Sequence, residues 1–408
     1  MLTSYPKEKI NILLLENISK RAIEEFRRHG YDNISTVSGA LSESELIEAV
    51  RNAHILGIRS KTKVTASVLE SAEKLLAVGA FCIGTNQIDL RAATERGIAV
   101  FNAPYSNTRS VAELVIGSSI MLIRKIPDRN IAAHKGLWLK DSKGCYELRG
   151  KTIGIIGYGN IGSQVSVLAE AMGLNVIYHD VATKMPLGNA RQVQSLTELV
   201  SSSDIVTLHV PSDGSTRNMI DENALSQMRE GAILINYSRG DVVDLEATAR
   251  AVTAGHLAGV AVDVFPKEPE SNDEGFTSVL QGLPNVLLTP HIGGSTEEAQ
   301  ESIGIDVSSK LISFLETGSS NGSLTVPSVA LPQQEKTHRI LHIHENVPGV
   351  LGEMNMRLSD LGLNILGQYL KTNETIGYVI LDVEISLSGE AVEALKSING
   401  TIRTRLLY

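Results

Sequence analysis

The chain has little that would tie it to a membrane, to nucleic acid or to an oxidising compartment. Only two of its 408 residues are cysteine. Cys82 and Cys145 offer neither a metal-ligand spacing nor a disulfide framework, so both read as reduced and structural, and no metal site is expected. Lys and Arg number 37 against 46 Asp and Glu, a formal net charge of -9. That balance leaves no basic footprint for nucleic acid or an anionic membrane, although local patches can still hold anionic metabolites. No apolar run reaches the roughly 18 uninterrupted residues of a spanning helix; Val111 to Ile123 is short and carries Glu113. The N-terminal segment lacks a charged-then-apolar signal pattern, so the expected location is the cytoplasm.

What is present is alternation. The length is too great for one ordinary core and suggests two or three domains. Apolar runs at Ile10 to Leu15, Ile34 to Val37, Ile55 to Ile58, Ala80 to Ile83 and Ile98 to Phe101 are separated by amphipathic helical stretches. This predicts a parallel sheet. Helix ends are marked by a capping box at Ser42 and Glu45 and by Gly30 after His29. A long apolar helix from Ser110 to Ile126, broken at Pro127, leads into a second unit. Its strands are predicted at Lys151 to Gly157, Asn175 to His179, Ile205 to Val210, Ala232 to Asn236, Val260 to Val264 and Val286 to Leu288. A helix opening at Ser295 and running through Leu315 returns to complete the first unit, leaving a cleft between the two.

The second unit carries a glycine motif, Gly157, Gly159 and Gly162, directly after its first strand. Gly157 suits a sharp turn, Gly159 a close approach to a pyrophosphate, and Gly162 tight packing of helix on sheet; Asn160 and Ile161 open that helix. Asp180 closes the next strand, where a carboxylate can accept hydrogen bonds from both ribose hydroxyls of NAD and repel the extra phosphate of NADP. Lys184 is the one nearby residue that softens that rejection.

Three residues follow strand ends on the side where such sheets bind ligands. Arg239 presents a fork suited to the carboxylate and keto oxygen of a 2-oxo acid. His291 can take a hydroxyl proton as hydride leaves for nicotinamide. Glu268 can hold that imidazole in one orientation. Each alone has a plain structural reading, as a surface ion pair, a satisfied histidine or a solvated loop; the three in this order along one unit point to chemistry.

Thr317 to Lys336 is rich in Gly, Ser and Pro without periodicity and reads as a linker. Beyond it the order is strand (His338 to His344), helix (Gly349 to Leu361), strands (Ile365 to Lys371, Tyr378 to Ile385), helix (Glu390 to Ile398) and strand (Thr401 to Leu407). This is a βαββαβ, ferredoxin-like module. Helices cover one face of such a sheet, and a second copy is expected to pair with it.

Segments 157–162, 236–240, 259–269 and 288–294 together resemble the D-isomer-specific 2-hydroxyacid dehydrogenases over essentially the whole chain. The resemblance implies an NAD-dependent enzyme acting on a phosphorylated 2-hydroxy acid in L-serine synthesis, assembled as a homotetramer. It assigns Arg239 to substrate orientation, Glu268 to support of the histidine and His291 to proton transfer. Asp263, Tyr237 and Ser238, with Gly293 and Gly294, fall to the nicotinamide half of NAD. It implies substrate contacts at Arg59, Ser60, Lys61, Asn107, Lys140 and Gln300. Cations at Arg59, Lys61 and Lys140 suit a phosphate; Lys61 and Lys140 read equally well as parts of a solvated face. The tail resembles an ACT domain, the amino-acid-sensing fold, with His344, Asn346 and Asn364 expected to hold L-serine as effector. His344 reads alternatively as an exposed strand residue.

The expected fold is therefore α/β. It combines a flavodoxin-like substrate domain (1–106 and 295–330), a Rossmann-type doubly wound NAD domain (107–294), a linker region (317–336) and the ferredoxin-like ACT domain (337–408). Two other readings stay open: a sister D-2-hydroxyacid dehydrogenase, for instance one reducing 2-oxoglutarate, and a non-catalytic NAD-sensing protein on the same scaffold.

Overall fold

Four of the five strands in the first sheet are buried end to end, which is why they read as unbroken apolar runs. The computed structural model describes residues 5–269, 273–332 and 334–407. It divides into two compact units, one of Met1–Ser106 with Gln300–Tyr408 and one of Asn107–Ala299.

In the first unit β1 (Ile12–Leu14), β2 (Ile34–Thr36), β3 (Ile55–Ile58), β4 (Ala77–Ala80) and β5 (Ala99–Asn102) form a parallel sheet in the order β2-β1-β3-β4-β5. This is the flavodoxin-like order. Helices α1 (Lys20–Arg28), α2 (Glu43–Val50), α3 (Ala66–Ser71) and α4 (Leu90–Glu95) supply the crossovers. Ser42 caps α2 with the reciprocal Glu45 bond that the sequence predicts. The fourth strand lies three residues earlier than expected. Ala77–Ala80 pairs residue for residue with Ile55–Ile58 and with Ala99–Asn102, while Phe81, the apolar lure in the sequence, turns into the core where the strand stops.

The second unit opens with α5 (Thr108–Ile123) and α6 (Ile126–His134). The long helix ends earlier than expected because Lys125 takes a left-handed φ of 53°, and Pro127 lies in the first turn of α6. Then follow β6 (Thr152–Ile156), α7 (Asn160–Ala171), β7 (Asn175–His179), β8 (Arg191–Gln192), α8 (Leu196–Ser202), β9 (Ile205–Leu208) and α9 (Glu222–Gln227). The unit finishes through β10 (Ala232–Asn236), α10 (Leu245–Thr253), β11 (Leu257–Val262) and β12 (Val286–Leu288). The sheet order, β12-β11-β10-β9-β6-β7-β8, is that of a Rossmann fold with its switch point between β6 and β9. The two-residue edge strand β8 is too short to leave a pattern in the sequence.

Helix α11 (Glu297–Thr317) packs Ile303, Val307 and Leu311 on the first sheet. Gly79 makes this possible, since a Cβ there would meet Leu311 and Val307 at 2.8 Å. Among the described residues, the stretch expected to be a linker has no helix or strand past the end of α11 at Thr317, yet several of its residues are tied down. Thr325 bridges Ile98 and Val100 of the β5 segment, Ser320 ties back to Pro327 and Val329, and Val326 and Val329 enter the core. Its hydroxyls replace the ladder that a strand would supply.

The tail comprises β13 (His338–Glu345), α12 (Val350–Asp360), β14 (Ile365–Thr372), β15 (Ile376–Val383), α13 (Ser388–Lys396) and β16 (Thr401–Leu407). Its antiparallel order is β14-β15-β13-β16. The third strand starts earlier than predicted because Ile376 pairs with Glu345, and Ile385 falls in a short exposed turn. The sheet face expected to await a second copy is covered within the chain. Leu341, Ile343, Tyr378 and Ile380 share one core with the first sheet and α11, while Ile340, Val379 and Leu381 face α12 and α13. Arg339, fully buried, joins Asp382 through two bonds of 2.7 and 2.8 Å and also reaches the carbonyls of Thr317, Leu331 and Pro332. One side chain thus fastens the preceding strap to the tail.

Candidate active site

Each glycine of the fingerprint does a separate job. Gly157 has φ 89°, and a Cβ there would come 2.5 Å from the carbonyl oxygen of His209. At Gly162 a Cβ would come 2.1 Å from the carbonyl of Gly157, so helix and turn touch backbone to backbone. Gly159 has open space around it and begins α7 with no side-chain cap. The first N–H groups of that helix, Asn160 and Ile161 among them, are left for a phosphate. Half-buried Asp180 accepts from the Tyr158 N–H at 2.8 Å through one oxygen and from Ala182 N–H at 2.9 Å through the other. It holds the glycine turn against the end of β7 and keeps acceptor sites for ribose hydroxyls. These features fit a dinucleotide: a naked helix start, backbone free of side chains and an acid at the next strand.

His209, at the end of β9 beside the switch point, escaped the sequence reading. Burial pushes its imidazole down to about 3, Thr207 meets Nε2 at 3.0 Å, and Nδ1 has no partner among the described residues. It is a neutral polar group just past the end of β9, where its own carbonyl lies against the Gly157 turn.

The catalytic candidates follow β10, β11 and β12. Buried Asn236 folds the first of these turns, accepting from the N–H and hydroxyl of Ser238 and donating to the Arg239 carbonyl. Arg239 is thereby exposed, its guanidinium bonded to the Ser238 carbonyl at 2.7 Å. The Tyr237 ring points the other way. Its hydroxyl meets Ser118 at 2.6 Å inside the core, and burial lifts the phenol to about 12. The Tyr237 side chain is thus engaged in packing inside the core.

His291 Nδ1 donates to Glu268 at 2.8 Å, and the second Glu268 oxygen accepts from the Phe265 N–H at 3.0 Å. The hydrogen bond to Glu268 is the main cause that raises the His291 imidazole above its ordinary 6.5, reinforced by the charges of Glu268 and Asp263 and opposed by burial and Arg239. For Glu268, burial pushes upward, but the bonds from His291 and Phe265 and the nearby charges of His291 and Arg239 together leave it lowered. Arg239, Glu268 and His291 therefore lie within one electrostatic neighbourhood. Nε2 of His291 has no partner among the described residues and is the nitrogen open to proton exchange.

Asp263 has a firmer role than the one expected of it. The carboxylate, 2% exposed, accepts from Thr289 Oγ1 at 2.6 Å, Ile292 N–H at 2.8 Å and Gly293 N–H at 2.7 Å. Its own carbonyl accepts the His291 N–H at 2.8 Å. This clamp keeps His291 at a left-handed φ of 53°, a conformation that costs on the order of 1 kcal/mol for a residue with a side chain. Gly294 packs against Asn107, where a Cβ would come 2.2 Å from Nδ2, and buried Asn107 Oδ1 has no partner among the described residues. Lys140 lies exposed in the segment after α6.

The remaining substrate candidates belong to the first unit. Arg59, Ser60 and Lys61 follow β3, and Gln300 is half-buried on α11. In the tail His344 is buried, not exposed, with Nδ1 on the Glu345 carbonyl and Nε2 unpartnered among the described residues. Exposed Asn346 donates to the Asn373 carbonyl, and Asn364 is exposed just before β14. Gly349, at φ 97°, starts α12 without a side-chain cap. Among the described residues no cluster of metal ligands occurs and no helix is long and apolar enough to cross a membrane.

Residues 116–293 match the NAD binding domain of the D-isomer specific 2-hydroxyacid dehydrogenases. The chain is 51% identical to the D-3-phosphoglycerate dehydrogenase of Escherichia coli (strain K12) over 407 residues, 99% of each chain. It is 50% identical to that of Dictyostelium discoideum over 406 residues, 100% of this chain and 99% of the other. Among solved structures, a D-lactate dehydrogenase from Aquifex aeolicus, complexed with NAD and lactic acid, is similar to 78% of this chain across 100% of its own, with a TM-score of 0.67 and 27% identity.

Proposed function

This chain belongs to the D-isomer specific 2-hydroxyacid dehydrogenases and is an NAD-dependent oxidoreductase, and from that premise we propose that it oxidises D-3-phosphoglycerate to 3-phosphohydroxypyruvate, the committed step toward L-serine. The observation that carries the chemistry is the Glu268–His291 pair beside Arg239, on loops following neighbouring strands of a sheet with an intact dinucleotide turn. Held by the Gly157–Gly162 turn, the start of α7 and Asp180, NAD would supply the acceptor for the hydride of the carbinol carbon. Nε2 of His291 takes the hydroxyl proton, and Glu268 stabilises the resulting imidazolium through Nδ1. The Arg239 fork orients the carboxylate and the developing keto oxygen. Full-length relatives of the same name support the choice of substrate, and Arg59, Lys61 and Lys140 supply cations for its phosphate.

The test is NADH formation across a panel of D-2-hydroxy acids at fixed NAD. Turnover highest with D-3-phosphoglycerate is expected; turnover confined to 2-hydroxyglutarate or another member would transfer the chain to a sister activity.

In the same proposal residues 1–106 and 295–330 bind substrate, 107–294 bind NAD, and 337–408 sense L-serine in a cytoplasmic homotetramer. Support for the sensor comes from the uncapped start of α12 at Gly349, suited to a carboxylate, and from the unpartnered His344 Nε2. Calorimetry with L-serine, on wild type and Asn346→Ala, is expected to give heat only with the former; no heat with either removes the sensor.

A further inference from the structure

The basic segment after β3 is built on a buried acid that the reaction does not use. Glu16 follows β1, the neighbour of β3 in the sheet, and is 8% exposed. Its Oε1 accepts from Arg59 N–H at 3.1 Å and Thr62 N–H at 2.9 Å, and its Oε2 from Lys61 N–H at 3.0 Å. Gln87 adds a bond of 2.7 Å to the Arg59 carbonyl. Glu16 itself has φ 60°, a left-handed backbone unusual for a residue with a side chain, so the surrounding structure holds this arrangement against local preference.

Three converging N–H groups at the carboxyl end of a parallel sheet make a ready anion site. Here the protein's own carboxylate fills it. We propose that Glu16 is a positioning residue that occupies this amide nest, fixes the path of residues 59–62, and so leaves a substrate anion to the side chains of Arg59 and Lys61 and not to the loop backbone. The inference rests on the reading of that loop as a substrate contact. It makes selectivity for a dianionic group a matter of two flexible cations on a rigid loop. A loop of that kind discriminates by charge, whereas a backbone nest would discriminate by shape.

Steady-state kinetics with D-3-phosphoglycerate and backbone amide exchange test it together. In Glu16→Ala the amides of Arg59, Lys61 and Thr62 should exchange faster. KM for D-3-phosphoglycerate should rise about tenfold or more, with kcat within about twofold and KM for NAD unchanged, the signature of lost uniform binding. Glu16→Gln keeps Oε1 as an acceptor and should recover part of the loss. Formate, small enough for the vacated nest, should lower the KM of Glu16→Ala and leave wild type unaffected, with chloride at matched ionic strength as control. A KM unchanged in Glu16→Ala while Arg59→Ala raises it overturns the proposal. A raised KM that neither Gln nor formate relieves makes Glu16 merely structural and overturns it equally. If Arg59→Ala itself leaves KM unchanged while NADH still forms, the loop is not a substrate contact. The proposal then falls and the dehydrogenase reading stands.

Discussion

The two parallel sheets solve a similar problem with different strain. In the first, buried Glu16 gathers three loop N–H groups and is itself left-handed; in the second, buried Asp263 gathers two N–H groups and a hydroxyl, and the left-handed residue is the one it presents, His291. Both clamps place an acceptor-only group where loop donors converge, so that neither loop can relax without stranding buried donors. What they present differs. The first holds up flexible cations that need only be near an anion. The second holds the one ring proposed to carry a proton, and there the strain falls on that residue itself.

If that contrast is right, the largest effect belongs to the presented imidazole. His291→Ala should lower kcat by about 100-fold to 10,000-fold, the range for loss of a general acid–base, while NAD binding measured by fluorescence or calorimetry stays near wild type. Retained turnover would mean that the ring is not the proton carrier and that the second clamp supports something else.

Next comes the clamp beneath it. Asp263→Asn leaves one acceptor and sets an amide donor against the Ile292 or Gly293 N–H, so at least one buried donor loses its partner. Stability should fall by about 1–3 kcal/mol, read by denaturant melts, and kcat by roughly tenfold or more as His291 drifts from its place. Glu16→Gln should instead spare kcat. A shared response of kcat to both substitutions would erase the distinction between holding a charge and holding a reacting atom.

These clamps also mark the limit of sequence reading. The glycine turn is local: Gly157, Gly159 and Gly162 lie within six residues and Asp180 at the next strand end, so spacing alone suggests their purpose. Arg239, Glu268 and His291 stood out as reactive types after predicted strands. Glu16 left no trace because its partners lie 43 to 46 residues away, across a neighbouring strand. Asn236 and His209 act through short-range hydrogen bonds at strand ends that no periodicity records. The strap after α11 is hard to read from sequence for a related reason. Ser and Thr are common in mobile linkers, yet here Ser320 and Thr325 spend their hydroxyls on backbone groups of their own strap and of the β5 segment. Composition showed the absence of a ladder, not the presence of a substitute.

The smallest effect is the most direct probe of how the second clamp tunes its residue. Glu268 raises the His291 imidazole above 6.5, while burial and Arg239 pull it down. Oxidation needs neutral Nε2, so its rate should climb with pH through a midpoint above that value, and reduction, which needs the imidazolium, should decline through the same midpoint. Glu268→Gln retains an acceptor for Nδ1 but removes the charge. The midpoint of both profiles should then move to lower pH, with kcat for oxidation down about tenfold from the lost stabilisation of imidazolium. Measured against wild type, the deficit in reduction should widen as pH rises, since the variant loses its imidazolium first. An unshifted midpoint would assign the titration to another group and leave Glu268 only a steric hold on the ring.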